Sequence, residues 1–195
     1  QTGLDTYYVN GYDGETTSNY LQAERAWQGA SALPTVSGGL NLHASYKGFF
    51  VDADVFYQGG HKINEGWHLY TSQGNAYSLN AYQGINTVLD RWQQPGDVTR
   101  IAKVTSNYPP WEVNSKFLYD GDFARLRNIT VGYNLAESLT EPLGISSGRI
   151  YVRGTNLATW VKDDNLVWDP EVDASGFIEM FTPPTKSIVF GVNFK

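Results

Sequence analysis

Hydrophobic and polar side chains alternate with a period of two along four stretches of the chain. Gly39–Lys47 sets Leu40, Leu42, Ala44 and Tyr46 against Asn41, His43, Ser45 and Lys47. After a tight turn at Lys47-Gly48, Phe49–Tyr57 sets Phe49, Val51, Ala53, Val55 and Tyr57 against Phe50, Asp52, Asp54 and Phe56. Phe123–Leu135 puts Ile129, Val131, Tyr133 and Leu135 opposite Asn128, Thr130, Gly132 and Asn134. Lys186–Lys195 puts Ile188, Phe190, Val192 and Phe194 opposite Ser187, Gly191, Asn193 and Lys195. Successive strand side chains point to opposite faces, so this pattern predicts strands with one apolar face. Arg149–Thr159 is a further strand with two possible phases. Either Ile150, Val152, Gly154 and Asn156 share the apolar side, or Tyr151, Arg153, Thr155 and Leu157 do. The first phase is adopted, because the second sets Arg153 among apolar groups. A short strand is also expected near Asp5–Asn10.

The connections alternate in length. Lys47-Gly48 is minimal, Gln58–Asp122 very long, Ala136–Gly148 short and Val161–Thr185 long again. A structureless loop as long as Gln58–Asp122 is unusual inside a compact soluble domain. Short turns on one side and long loops on the other are the habit of outer-membrane barrels. A helical turn is expected near Gly84–Trp92, with Pro95-Gly96 and Pro109-Pro110 as interruptions. Alternation alone fits two architectures: a soluble sandwich whose apolar faces pack together, or a barrel whose apolar faces meet lipid and whose polar faces line a wet lumen. Aromatic positions favour the barrel. With Lys47-Gly48 as a periplasmic turn, Tyr46, Phe49 and Tyr133 fall at one membrane boundary and Tyr57 at the other, as in the aromatic girdles of such barrels. No apolar run is long enough for a transmembrane helix, which leaves strand spans open.

The chain has 195 residues, 17% charged and 14% aromatic, with a net charge of −6. The negative balance argues against a nucleic-acid partner, which calls for a basic stripe. The absence of Cys excludes a disulfide scaffold and thiolate metal sites. The chain begins at Gln1 with no signal-peptide pattern.

Particular segments carry a family likeness. SKFLYDGDFARLRNITVGYNL (Ser115–Leu135) and GISSGRIYVRGTNLATW (Gly144–Trp160) resemble hallmarks of SusC/RagA-type TonB-dependent outer-membrane receptors. DRWQQPGD at Asp90–Asp97, DPEV at Asp169–Val172, the terminal IVFGVNFK and Ser31–Gly60 resemble the same family, in family order. The resemblance implies an all-β fold: the C-terminal strands of a large antiparallel transmembrane β-barrel with long extracellular loops. Residues 1–195 would supply five or six of the ~22 strands that such transporters need. A plug domain, a TonB box and the rest of the barrel would lie outside this chain. The implied function is import of oligosaccharides or oligopeptides across the outer membrane. The implied partners are a SusD-like surface lipoprotein, the TonB complex acting through the absent N-terminal part, the remaining barrel and outer-membrane lipid. A soluble aromatic-rich β-sandwich, such as a carbohydrate-binding module, is the alternative.

Within that frame, Asn41, His43, Asp52, Asp54, Thr130 and Asn134 are expected to line the lumen. Leu40, Leu42, Val51, Val55, Ile129, Val131, Tyr133, Ile188, Phe190, Val192 and Phe194 are expected to face lipid, with Phe194 at the periplasmic boundary. Trp67, Tyr70, Trp92, Trp111 and Tyr119 lie in the long link, and their rings are candidates to stack on a sugar or a peptide side chain. No cofactor or metal is expected. His61 and His68 lack the spacing of a zinc pair. The acidic run DDNLVWDPEVD lacks the calcium-loop spacing and reads as a solvated external loop. G-x-S-x-G, P-loop and Cys/His nucleophile patterns are missing, so an enzyme is not expected.

Overall fold

Each of the stretches with period-two alternation is a strand in the structure, a computed structural model that describes residues 2–29, 31–71, 80–106, 114–179 and 182–195. The strands are β1 (Val36–Tyr46), β2 (Phe49–Gly59), β3 (Phe123–Asn134), β4 (Gly148–Val161) and β5 (Ser187–Phe194). They form one antiparallel meander in which every strand pairs with its neighbours in sequence. Among the described residues β1 and β5 are edges, so the sheet stays open. At the β1–β2 turn, Lys47 and Gly48 have φ of 48° and 87°. Two left-handed residues make the hairpin turn whose twist matches antiparallel strands. A Cβ on Gly48 would lie 2.7 Å from the Tyr133 ring, so glycine is needed there for space as well.

The sheet belongs to one of two compact units, made of Ser31–Ile63, Tyr119–Ser175 and Phe181–Lys195. The other gathers Gln1–Ala30, Asn64–Leu118 and Gly176–Met180. Most of the long link therefore falls in this second unit, together with Gln1–Ala30 and Gly176–Met180. That unit holds a two-residue ladder in which Tyr7–Tyr8, inside the region expected to carry a short strand, pairs with Thr16–Thr17 beyond it. It also has a 3-10 turn at Asn86–Asp90, inside the expected helical region, and a parallel pairing of Asn64 and Glu65 with Phe177 and Ile178. Val88, Ile101, Ala102, Phe117 and Ile178 are its buried apolar residues.

Strict alternation fails at one level of the sheet, and the failure has a use. Counted back from Ile129 in steps of two, Arg127 and Arg125 would join the apolar face. Instead the register shifts: Asp54 faces Asn128 while Val55 faces Leu126, leaving Arg127 as an extra residue on β3. On β4 the same level holds two extra residues, Asn156 and Leu157, between the partners Thr155↔Asn128 and Ala158↔Leu126. Such a bulge moves the following side chains to the other face. Arg125 thereby falls opposite Phe56 on the polar side, with the Arg127 guanidinium 4.9 Å from the centre of the Phe56 ring. The adopted phase of β4 holds for Ile150, Val152 and Gly154 but not beyond. Asn156 takes a left-handed φ of 52° and donates to the Thr185 carbonyl, and Leu157 packs on Gly154 on the apolar face.

Candidate functional site: two faces of one sheet

The five strands bring the polar positions into rows. Asn41, Asp54, Asn128 and Thr155 stand side by side across β1–β4, and hydrogen bonds join all four. Asn41 Nδ2 donates to Asp54 Oδ1 at 2.5 Å, Asn128 Nδ2 to Asp54 Oδ2 at 3.3 Å, and Thr155 Oγ1 to Asn128 Oδ1 at 3.3 Å. In the next row His43 Nδ1 lies 2.5 Å from Asp52 Oδ1, and Arg153 Nε donates to Thr130 Oγ1 at 3.1 Å. Arg149 Nε donates to Asn134 Oδ1 at 3.0 Å. So Asn41, His43, Asp52, Asp54, Thr130 and Asn134 share one face, and each has a cross-strand partner. Asp52 and Asp54 hold neighbours rather than face each other as an acid/base pair. Between these rows, Phe50 lies over Gly132 and Tyr151 over Gly191, where a Cβ would come within 2.4 Å and 2.3 Å of the rings.

The opposite face is apolar throughout. Leu40, Leu42, Val51, Val55, Ile129, Val131, Tyr133, Ile188, Phe190, Val192 and Phe194 all lie on it by register. It is also uncovered: Phe190 is 79% exposed and Val131 48%. Phe49 and Tyr133 pack ring to ring at 4.8 Å beside the Lys47-Gly48 turn, with Phe194 opposite Gly148 at the same end. Tyr57 and Trp160, both opposite Ala124, mark the other end. A sandwich would bury this face under a second sheet.

An arginine network on the polar face escaped sequence reasoning. Arg125 has a side chain only 1% exposed; its Nη2 donates to Asp169 at 2.6 and 2.7 Å, and its Nη1 lies 3.3 Å from Glu171. Arg127 also pairs with Glu171. Two of the acidic residues in DDNLVWDPEVD are therefore ion-paired on the sheet, which corrects their assignment to a solvated loop. The signal was present in two segments far apart in sequence, RLRN and DPEV, each with charges in need of a partner.

Just beyond the strand ends, Lys162 Nζ bridges Asp120 at 2.7 Å and Asp122 at 2.9 Å, and the Gly60 N–H donates to Asp122 Oδ1 at 2.6 Å. Burial lowers the His61 pKa, outweighing the pull of the Asp122 and Asp120 carboxylates. Burial works to raise the Asp122 pKa. Hydrogen bonds from Lys162, from the Gly60 N–H and with Asp120, together with the Lys162 charge, more than offset it and hold the carboxyl below its ordinary value. Hydrogen bonding to Asp120, then to Asp122, raises Lys162.

The aromatic candidates of the long link have different surroundings. Trp67 and Tyr70 pack at 5.0 Å, and Tyr70 meets Tyr82 at 4.9 Å. Trp92 lies on Gly3, beside a cavity of about 230 Å³ lined by Leu4, Asp97 and Ile101 among others. Tyr119 is 3% exposed, so its ring is not presented for stacking. Trp111 lies outside the described residues.

The sheet is an open antiparallel meander with a bare apolar face and a hydrogen-bonded polar face. Comparison with known proteins gives its family. TonB-dependent receptor P3 of Formosa agariphila is 34% identical over 72% of this chain, and TonB-dependent receptor P26 of the same organism is 25% identical over 93%. Among solved structures, the RagAB peptide transporter matches 99% of the chain with a TM-score of 0.77 and 26% identity. The RagAB peptide importer in its open-open state matches all of the chain, with a TM-score of 0.77 and 27% identity. No protein-family model matches the chain. The chain belongs to the TonB-dependent receptors of the SusC/RagA type. It spans 13% and 19% of the length of the two receptors and 21% of the RagAB chains.

Proposed function

We propose that the chain is the C-terminal part of the barrel of an outer-membrane TonB-dependent transporter, with long extracellular loops. The observation that carries this reading is the sheet itself: its apolar face is bare while its polar face is hydrogen-bonded across the strands. Lipid suits the first and a wet lumen the second. On this reading Asn41, His43, Asp52, Asp54, Thr130 and Asn134 line the lumen. Residues from Leu40 to Phe194 on the other face meet lipid. The open edges of β1 and β5 pair with the remaining strands of the receptor, because an unpaired edge is not viable in a bilayer.

The cargo is an oligopeptide or an oligosaccharide, and the RagAB neighbours, named as peptide importers, favour the peptide. A SusD-like surface lipoprotein joins the receptor outside, and the TonB complex drives it through its N-terminal part. The test is the full-length receptor in its native membrane. It is expected in the outer-membrane fraction, to bring down a lipoprotein of comparable abundance in mild detergent, and to take up labelled oligopeptides in a TonB-dependent way. A receptor recovered in the soluble fraction would refute the barrel reading. Recovery of the bare receptor would refute the partnership. The carbohydrate-binding sandwich has no observation in its favour beyond aromatic content.

A further inference from the structure

We propose that Arg125 and Arg127 are positioning residues: they hold residues 162–175 as a static strap on the polar face, so that the strap is a fixed part of the solute path. The second clause rests on the importer reading; the first rests on the ion pairs alone. The strap is tied at two levels. At its base, Lys162 bridges Asp120 and Asp122, and the Asp120 N–H donates to Asp163 Oδ2 at 3.2 Å. In its middle, Asp169 and Glu171 take the two guanidinium groups of β3. Leu166, between the ties, is buried.

The two ties differ in strength. Lys162 has a side chain 62% exposed, and exposed pairs contribute little. The middle tie is another matter. The Arg125 side chain is 1% exposed with the Phe123 ring 5.7 Å from its guanidinium, while Arg127, with the Phe56 ring at 4.9 Å, keeps 33% exposure. Opening it would leave a buried charge uncompensated. The local backbone is arranged for the contact. Pro170 fixes its own φ, and the Glu171 N–H donates to Asp169 Oδ1 at 3.0 Å, setting the two carboxylates to reach β3 together. The bulge supplies the other half, by turning both arginines to this side.

The test uses the full-length receptor in mild detergent. Amide hydrogen exchange is followed over residues 163–175 in the unsubstituted receptor, Asp169→Asn, Arg127→Ala and Arg127→Lys. The strap of the unsubstituted receptor is expected to exchange slowly, and a tryptic digest of casein should leave that rate unchanged. Asp169→Asn should accelerate exchange by about a hundredfold, the order that loss of a buried ion pair implies, with exchange in β4 unchanged. Arg127→Ala should have a smaller effect, and Arg127→Lys, which keeps a cation beside Glu171, should retain most of the protection that Arg127→Ala loses. The positioning role has its own readout: the KM for uptake of the labelled digest should rise in Asp169→Asn while kcat per folded receptor holds. Fast exchange in the unsubstituted receptor, no change in Asp169→Asn, an Arg127→Lys receptor as loose as Arg127→Ala, or an unchanged KM over a loosened strap would each overturn the proposal. Absence of any uptake would refute the importer reading instead, and the exchange data would still decide whether the strap is fixed.

Discussion

Val131→Arg separates a lipid-facing strand from a water-facing one. Val131 sits in the middle strand of the sheet, between Val51 on β2 and Val152 on β4, with Phe190 on β5 completing the row. It is 48% exposed, so an arginine has room, and steric crowding contributes little to the outcome. In water a substitution at such a site stays within about 0.5 kcal/mol of neutral. Near the middle of a bilayer an arginine on the lipid face costs about 2–4 kcal/mol. The row lies three residues from the Lys47-Gly48 turn, a rise of ~10 Å before tilt, which places it between the boundary and the midplane. The lower end of that range, about 2 kcal/mol, is therefore expected. Folding of the full-length receptor into lipid vesicles, titrated with denaturant and read by heat-modifiable gel migration, gives the difference. Thr130→Asn, on the polar face of the same strand, is the comparison and should be mild. A Val131→Arg receptor that folds as stably as the unsubstituted one would refute the lipid assignment of the whole face.

Two further predictions follow from the same geometry. Gly132→Ala should destabilise by about 1–3 kcal/mol in that titration, because the added Cβ would lie 2.4 Å from the Phe50 ring and 2.6 Å from the Ile150 carbonyl, a backbone atom that cannot rotate away; an unchanged midpoint would mean that the strands separate freely there. The junction of His61, Asp120, Asp122 and Lys162 should loosen in acid. His61 titrates below its ordinary 6.5 when folded, so its contribution is present above that value and is lost as pH falls through the folded pKa. Asp122 titrates below its ordinary 3.8, so it adds a second loss at lower pH. Lys162 has the opposite sign: its contribution is complete below 10.5 and is lost only as pH rises through its raised folded pKa. Amide protection factors at residues 60–62 and 120–122 should therefore hold from about pH 7 to 10 and fall on acidification; loosening between pH 7 and 9 would contradict the assignments.

The sheet was legible because its two faces differ chemically. Ile188, Phe190, Val192 and Phe194 against Ser187, Gly191 and Asn193 leave no doubt of phase, and β5 has that phase. The polar candidates were legible for the same reason, since the hairpin register that follows from Lys47-Gly48 places Asn41 on Asp54 and His43 on Asp52. What period two cannot carry is a change of phase. The bulge has no motif of its own, and it appears in the sequence only as a conflict: Arg125 and Arg127 in step with Ile129, and Asn156 in step with Ile150. The second unit was illegible for a different reason. Its ladders are two residues long and its pairings join Asn64 to Phe177, too short and too distant for any periodicity to register. The stacking candidates rest on residue type and on a place in the long link, and neither carries information on burial: Tyr119 is buried.

The bulge and the strap solve one problem between them. A strand in a wall with one apolar face has only alternate positions for charge, and β3 carries Arg125 and Arg127 in the wrong phase for its own lower half. The bulge brings them to the polar side, but the cations are then packed beside Phe56 and Phe123, where water cannot solvate them fully. A buried cation needs a carboxylate, and the polar face has none to spare: Asp52 lies on His43 and Asp54 on Asn41 and Asn128. The charge is met from outside the sheet, by Asp169 and Glu171 on a connection that would otherwise hang free. The two charged segments therefore need each other. Removing only the carboxylates should cost more than replacing arginines and carboxylates together with apolar residues of similar size, because the double change leaves no buried charge behind. Equal losses from the two changes would show that the arginines find water without the strap.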